Sequence, residues 1–145
     1  MIQRIQTLFF LLASASFGAL FLLPLATSDT ATTQFLADKV FDITDHAALL
    51  GLTLLGVSAA IVAIFLFNKR PVQIKLGYGI IVVAILLPLA AFLLFTNESA
   101  VLSTTAQVYD QPGMFVPAGA ILFGALAIYF IRKDERLVKS MDRLR

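Results

Sequence analysis

Long apolar runs alternate with short clusters of charge along this chain, and the spacing of the alternation is that of a membrane rather than of a helix face. Residues 8–27, 47–67, 76–95 and 114–131 contain no Asp, Glu, Lys, Arg or His. Each run is about 20 residues long, and a rise of about 1.5 Å per residue carries such a helix across a hydrocarbon core of about 30 Å. A soluble helix would interleave its charges along one face; here they are held back to the gaps. The pattern predicts four transmembrane helices over about 8–27, 47–67, 76–95 and 114–131. Arg4 ahead of the first run, with Ala13-Ser14-Ala15 or Leu25-Ala26-Thr27 inside it, would also suit a cleaved secretory leader. Leader cores usually run about 7–15 residues, however, so the longer run reads as a span.

The gaps differ in kind. Residues 28–46 and 96–114 are long, polar connections. Thr44 or Asp45 is placed to cap the second helix, where a side-chain oxygen would satisfy amides that lipid cannot. Asn68-Lys69-Arg70-Pro71 closes the second run with a basic turn, and Val72-Gln73-Ile74-Lys75 completes a short connection to an antiparallel neighbour. Gln111-Pro112-Gly113 is a turn leading into the last helix. The β-branched stretch 101–109 reads as extended, and pairing with residues 40–43 in a small sheet is the arrangement it suggests. Leu22-Leu23-Pro24-Leu25-Ala26 recurs as Leu86-Leu87-Pro88-Leu89-Ala90. In a chain so rich in Leu and Ala this match arises easily by chance, but each proline removes a helix hydrogen bond and should bend the end of its helix.

Charge turns this pattern into an orientation. Of the eleven Lys and Arg residues, all but Lys39 lie before the first run, between the second and third, or after the fourth. Basic residues collect on the cytoplasmic side, so four crossings with this bias predict both termini inside and both long connections outside. With 59% hydrophobic residues the chain exceeds the roughly 45–50% of soluble domains, as a protein dissolved in lipid should. The expected fold is therefore an all-α, four-transmembrane-helix bundle, N-in and C-in, in a single domain of residues 1–145.

Little in the chain points to a reaction. Absence of cysteine removes thiolate chemistry, and the uncharged runs lack the ionisable groups that proton relays and ion pathways place at membrane depth. The polar groups within the runs are the hydroxyls of Ser14, Ser16, Thr53, Ser58, Tyr78 and Tyr129, which suit bonds to carbonyls of their own or a neighbouring helix. Ser14/Gly18, Gly56/Ala60 and Ala120/Gly124 are small residues four apart, suited to close helix approach. Asp42, Asp45 and His46 invite a metal reading, but Asp-x-x-Asp-His matches no ligand motif and no second histidine exists. Glu98 and Asp110 as a catalytic pair lack any sign of a shared cleft. No enzyme, cofactor or direct nucleic-acid partner is expected.

The segment after the last run carries more information. Residues 132–145 continue from Ile131 with no Gly or Pro break, so the helix should leave the bilayer and run on into water. Arg132, Lys133, Arg136, Lys139, Arg143 and Arg145 outnumber Asp134, Glu135 and Asp142, while Leu137, Val138, Met141 and Leu144 recur at helical spacing. Glu135 precedes Lys139 by four residues, the favourable order for a pair. A basic cap lying on anionic headgroups is one reading. The other is a docking helix for a partner, with Arg132, Lys133, Arg136, Leu137, Lys139, Met141, Arg143 and Arg145 as contact residues. A homo-oligomer is compatible with either.

Met-Ile-Gln-Arg-Ile-Gln-Thr at the start and Arg132-Lys133-Asp134-Glu135-Arg136-Leu137-Val138-Lys139-Ser140-Met141-Asp142-Arg143-Leu144-Arg145 at the end resemble the terminal signatures of a domain-of-unknown-function family of small four-helix membrane proteins from Bacteroidetes. The resemblance implies inner-membrane residence and brings no activity, substrate or cofactor. The leading expectation is a non-enzymatic accessory or scaffold subunit whose basic C-terminal helix contacts a cytoplasmic or membrane partner. The alternative is a small-molecule or lipid channel or transporter with a cavity in the bundle, lined by Tyr78 and Tyr129.

Overall fold

The computed structural model describes residues 3–29, 38–99 and 108–142. Among them are four helices, α1 (Gln3–Ala19), α2 (Ala47–Phe65), α3 (Arg70–Ser99) and α4 (Val116–Asp142). Three short strands, β1 (Ala26–Ser28), β2 (Val40–Phe41) and β3 (Val108–Asp110), lie between them in the chain. Ala47–Phe65, Arg70–Thr96 and Pro112–Val138 are helical stretches long and apolar enough to cross a membrane, and the apolar part of α1, Ile5–Ala19, is shorter.

The expected first span over 8–27 is thus corrected: its helix starts earlier and stops at Ala19. Tight backbone bonds from Leu20 to Phe17, Phe21 to Gly18 and Leu22 to Ala19 wind the chain down. Pro24, which has no N–H to offer a helix, follows. Leu20, Leu25 and Ala26 nonetheless find apolar surroundings, being buried against protein, whereas Phe21 and Leu22 are exposed. The third span starts six residues earlier than expected. Arg70 and Pro71 open α3, a position where the missing proline N–H would be unpaired in any helix, and the connection from α2 shrinks accordingly. Pro88 lies inside α3 whereas Pro24 lies beyond α1, so the two Leu-Leu-Pro-Leu-Ala copies adopt different conformations.

α1 packs on α2 and α4, and α3 packs on α2 and α4, so the four helices close into a ring. The ring of Phe9 stacks on Phe130 at 5.2 Å, while Gly119 faces Ser16; α1 and α4 therefore run antiparallel. Small and large residues interlock inside. Ala13, Ala60, Ala63, Ala84, Ala91, Ala120 and Ala127 are fully buried together with Phe10, Phe17, Ile80 and Leu87. The bulkier Leu54, Leu55, Phe65, Val82, Ile85, Leu89, Phe92 and Leu122 point outward. Water would expel such a surface; lipid does not, and helices in lipid gain their association from close backbone approach over small residues. Gly56 lies under Phe17, and Gly77 and Gly124 lie against Ile128 and Ile81. Gly56/Ala60 and Ala120/Gly124 thus serve buried contacts as expected, but Gly18 faces open space.

The strands gather at one end of the ring, hereafter the sheet end; the opposite end, with the start of α1 and the last turns of α4, is the terminal end. β1 is central, antiparallel to β2 through Ala26–Phe41 and Thr27–Val40 and to β3 through Ala26–Asp110, Thr27–Tyr109 and Ser28–Val108. The expected partners both join a sheet, but each pairs with β1 rather than with the other. A run read as transmembrane supplied the missing middle strand. Residues 101–107 of the stretch expected to be extended lie outside the described residues.

Candidate functional site

α4 carries the candidate site because it is the element that passes from an apolar to a charged sequence without interruption. No proline or glycine follows Gly124, and the helix persists through Asp142. Residues three and four apart share a helix face, so Ala125, Ile128, Tyr129, Arg132, Lys133, Arg136, Leu137 and Ser140 line one groove of about 590 Å³. Ile128 is nearly buried at its floor, whereas Arg132, Lys133 and Arg136 are exposed. The groove is apolar toward the sheet end and basic toward the terminal end.

One of its cations is held in place. Arg132 donates from Nη2 to the Tyr78 hydroxyl of α3 at 2.7 Å, and its guanidinium carbon stands 5.7 Å from the centroid of the same ring. The combination of a hydrogen bond and a cation–π contact restricts a long side chain that would otherwise sample many rotamers. Tyr129 is set by an edge-on contact with Phe130 at 5.4 Å, and Phe130 in turn stacks on Phe9 of α1. The wall of the groove is therefore braced by two other helices.

A second polar feature lies inside the ring near the same end. Gln6 of α1, Gln73 of α3 and Asp134 of α4 are all buried. Gln73 donates from Nε2 to the Ala63 carbonyl at 3.0 Å, in the last turn of α2 where carbonyls lack helical partners. Its Oε1 and Asp134 Oδ1 have no hydrogen-bond partner among the described residues.

A family model described as Domain of unknown function (DUF4293) matches residues 2–144. The chain belongs to the DUF4293 family. No curated protein and no solved structure matches it. The family description names no reaction, so function in this DUF4293 chain has to be argued from its own residues.

Of the expected contact residues, Arg132, Lys133, Arg136 and Leu137 share the groove. The side chains of Lys139 and Met141, and residues Arg143 and Arg145, lie outside the described residues, as does the expected Glu135–Lys139 pair. Of the apolar stripe, Leu137 and Val138 are exposed. Tyr78 and Tyr129 do not turn inward to a central cavity; they are 45% and 59% exposed on the outside of the ring. The span hydroxyls mostly bond within their own helices, Ser16 to Leu12, Thr53 to Leu49 and Ser58 to Leu55.

At the sheet end, Asp42, Asp45 and His46 do meet, as a capping turn. Asp42 Oδ1 accepts from the Thr44 amide and hydroxyl at 2.6 Å each, and Asp45 Oδ2 accepts from the Asp42 amide at 2.7 Å. His46, not the expected Thr44 or Asp45, is the N-cap of α2: its Nδ1 accepts from the Ala48 amide at 3.1 Å. The two aspartates are occupied in shaping the turn, which leaves the imidazole nearest the helix start. Asp110 is exposed on β3, and the side chain of Glu98 lies outside the described residues.

Sequence reasoning missed the Tyr78–Arg132 link and the burial of Gln73 and Asp134. The apolar neighbours Val72 and Ile74, just ahead of the run at 76–95, were the available signal for Gln73. Nothing local marks Asp134 as different from its charged neighbours.

Proposed function

We propose that this DUF4293 chain is a non-enzymatic accessory or scaffold subunit of a bacterial inner membrane, a four-transmembrane-helix bundle with both termini cytoplasmic. Its C-terminal helix would contact a cytoplasmic or membrane partner. The observation that carries the reading is the length of α4. Position 128 is level with Gly77 and Phe10, so the first residues of α1 and α3 lie near the level of residue 135. The last turns of α4, to Asp142, then stand about 10 Å beyond their neighbours. Leu137 and Val138 are exposed there beside Arg136, and exposed apolar side chains flanked by charge suit a helix that docks on a partner.

Four crossings are supported by the antiparallel course of α1 along α4, although α1 is the shortest of the helices. Its 17 residues measure about 25 Å, and the turn at residues 20–25 adds the remaining depth. Orientation follows from the bias of Lys and Arg toward the terminal end.

The chain has no cysteine, so single cysteines at Lys39 and Ser140 report sidedness directly with a membrane-impermeant maleimide on intact cells. Labelling at position 39 and protection at position 140 is the expected result; the reverse overturns the orientation. Docking is tested by a photocrosslinker at Val138 in native membranes, with and without Leu137→Ser. One discrete crosslinked partner that is lost in the variant is expected. Absence of any adduct, or an adduct indifferent to Leu137→Ser, overturns the docking role.

A further inference from the structure

We infer that the groove along α4 is a binding site for one anionic phospholipid, with the phosphate at Arg132, Lys133 and Arg136 and an acyl chain along Ala125, Ile128 and the Tyr129 ring. The inference rests on the reading that α4 crosses a membrane. In that setting the change from Ile131 to Arg132 lies at headgroup depth, and the groove presents each part of an amphiphile with its match: cations at the level of the phosphate, apolar wall at the level of the chain.

Three features separate this groove from a plain basic margin. Its lining residues include three cations and no carboxylate; of the two acids beside them in sequence, Asp134 is turned inward and buried, and Glu135 is not part of the lining. Arg132 is held by the Tyr78 hydroxyl at 2.7 Å, which engages one of five guanidinium donors and leaves the others for a phosphate. The α4 face carries a half-open groove of about 590 Å³, which gives a lipid more to rest in than the diffuse attraction of lysines on a flat surface. A free anion would use the basic end alone and leave the apolar floor at Ile128 uncovered, so the membrane lipid is the occupant that accounts for both halves.

The test uses the full chain reconstituted into vesicles of phosphatidylcholine alone or of phosphatidylcholine mixed equally with phosphatidylglycerol, then extracted gently for native mass spectrometry. One retained phosphatidylglycerol in preference to phosphatidylcholine is expected. The double variant R132Q/R136Q should lower that preference about tenfold or more, and Tyr78→Phe should lower it less. Lys69→Gln, at an exposed basic residue outside the groove, should leave it unchanged. Equal retention of both lipids by the native chain overturns the inference while leaving the membrane reading intact, as does a loss in Lys69→Gln equal to that in R132Q/R136Q. Displacement of the lipid by inorganic phosphate also overturns it, in favour of a free-anion site. Failure of the chain to enter either vesicle overturns the membrane reading and the inference together. Where R132Q/R136Q does not fold, the same comparison between Lys133→Gln and Lys69→Gln decides the matter: a preference lowered only in Lys133→Gln upholds the site, and one lowered equally in both overturns it.

Discussion

Gly113 is the position where one added methyl group should do most damage. An alanine Cβ there would meet the Pro24 carbonyl oxygen at 2.3 Å, and the Leu23 carbonyl oxygen and Pro24 carbonyl carbon at 2.7 Å. All three are backbone atoms, so no side-chain rotation relieves the contact, and the two segments must separate by about 1 Å to reach ordinary packing distance. The seam they form is held by hydrogen bonds from Gly113 N to Pro24 O and from Gln111 N to Leu25 O, each 3.1 Å. Opening it by that much breaks both. A contact this close to backbone atoms cannot be kept, so the seam must open, and losing its two bonds at about 0.5–1.5 kcal/mol each means that Gly113→Ala should destabilise by about 1–3 kcal/mol or more. Gly79→Ala is the control: nothing lies within 4 Å of its Cβ position, and inside a helix alanine is favoured over glycine by up to about 1 kcal/mol. Thermal melts followed by far-ultraviolet circular dichroism in mild detergent should place Gly113→Ala below the native chain and Gly79→Ala at or above it. Hydrogen exchange at the amides of Gln111 and Gly113 should quicken in the first variant alone. Coincident melts for the two variants, or unchanged protection at those amides, would refute the argument.

Further outcomes follow from the same structure. Phe17→Ala should cost about 3–5 kcal/mol by emptying a fully buried site. Gly56→Ala, whose Cβ would lie 2.7 Å from the Phe17 ring, should be partly rescued by Phe17→Leu, and strict additivity in a double-mutant cycle would contradict this. His46→Ala removes the cap on the Ala48 amide and should cost about 0.5–2 kcal/mol, with His46→Asn recovering most of it; equal melts for both variants count against the cap. Asp134→Leu deletes a buried carboxylate oxygen that has no partner among the described residues, so stability should hold or rise by up to about 3 kcal/mol; a lowered midpoint refutes that account.

Much of this architecture was legible in the chain. Uncharged runs of membrane length marked α2, α3 and α4 within a few residues at most ends, and the unbroken Ile131–Arg132 junction foretold that α4 would continue. The errors have a common origin. Residues 20–27 are as apolar as any span, yet they leave the helix after Ala19 and supply the central strand, because β2 and β3 offer it hydrogen-bond partners on both edges. Apolar composition records that a residue avoids water; it does not record whether lipid or protein replaces the water.

The same ambiguity governs the candidate site. By itself the sequence determined the solvent, the helix boundaries set by charge and the basic character of the last segment, because each depends on the cost of placing charge in hydrocarbon, which composition expresses directly. Only the tertiary structure decided that Tyr78 would hold Arg132 from 54 positions away. It likewise decided that Asp134 would turn inward while Arg132 and Arg136 faced a groove, and that Gly56 rather than Gly18 would meet an aromatic ring. When the surroundings are as apolar as the core, hydrophobic periodicity no longer distinguishes inside from outside, and packing alone assigns each face.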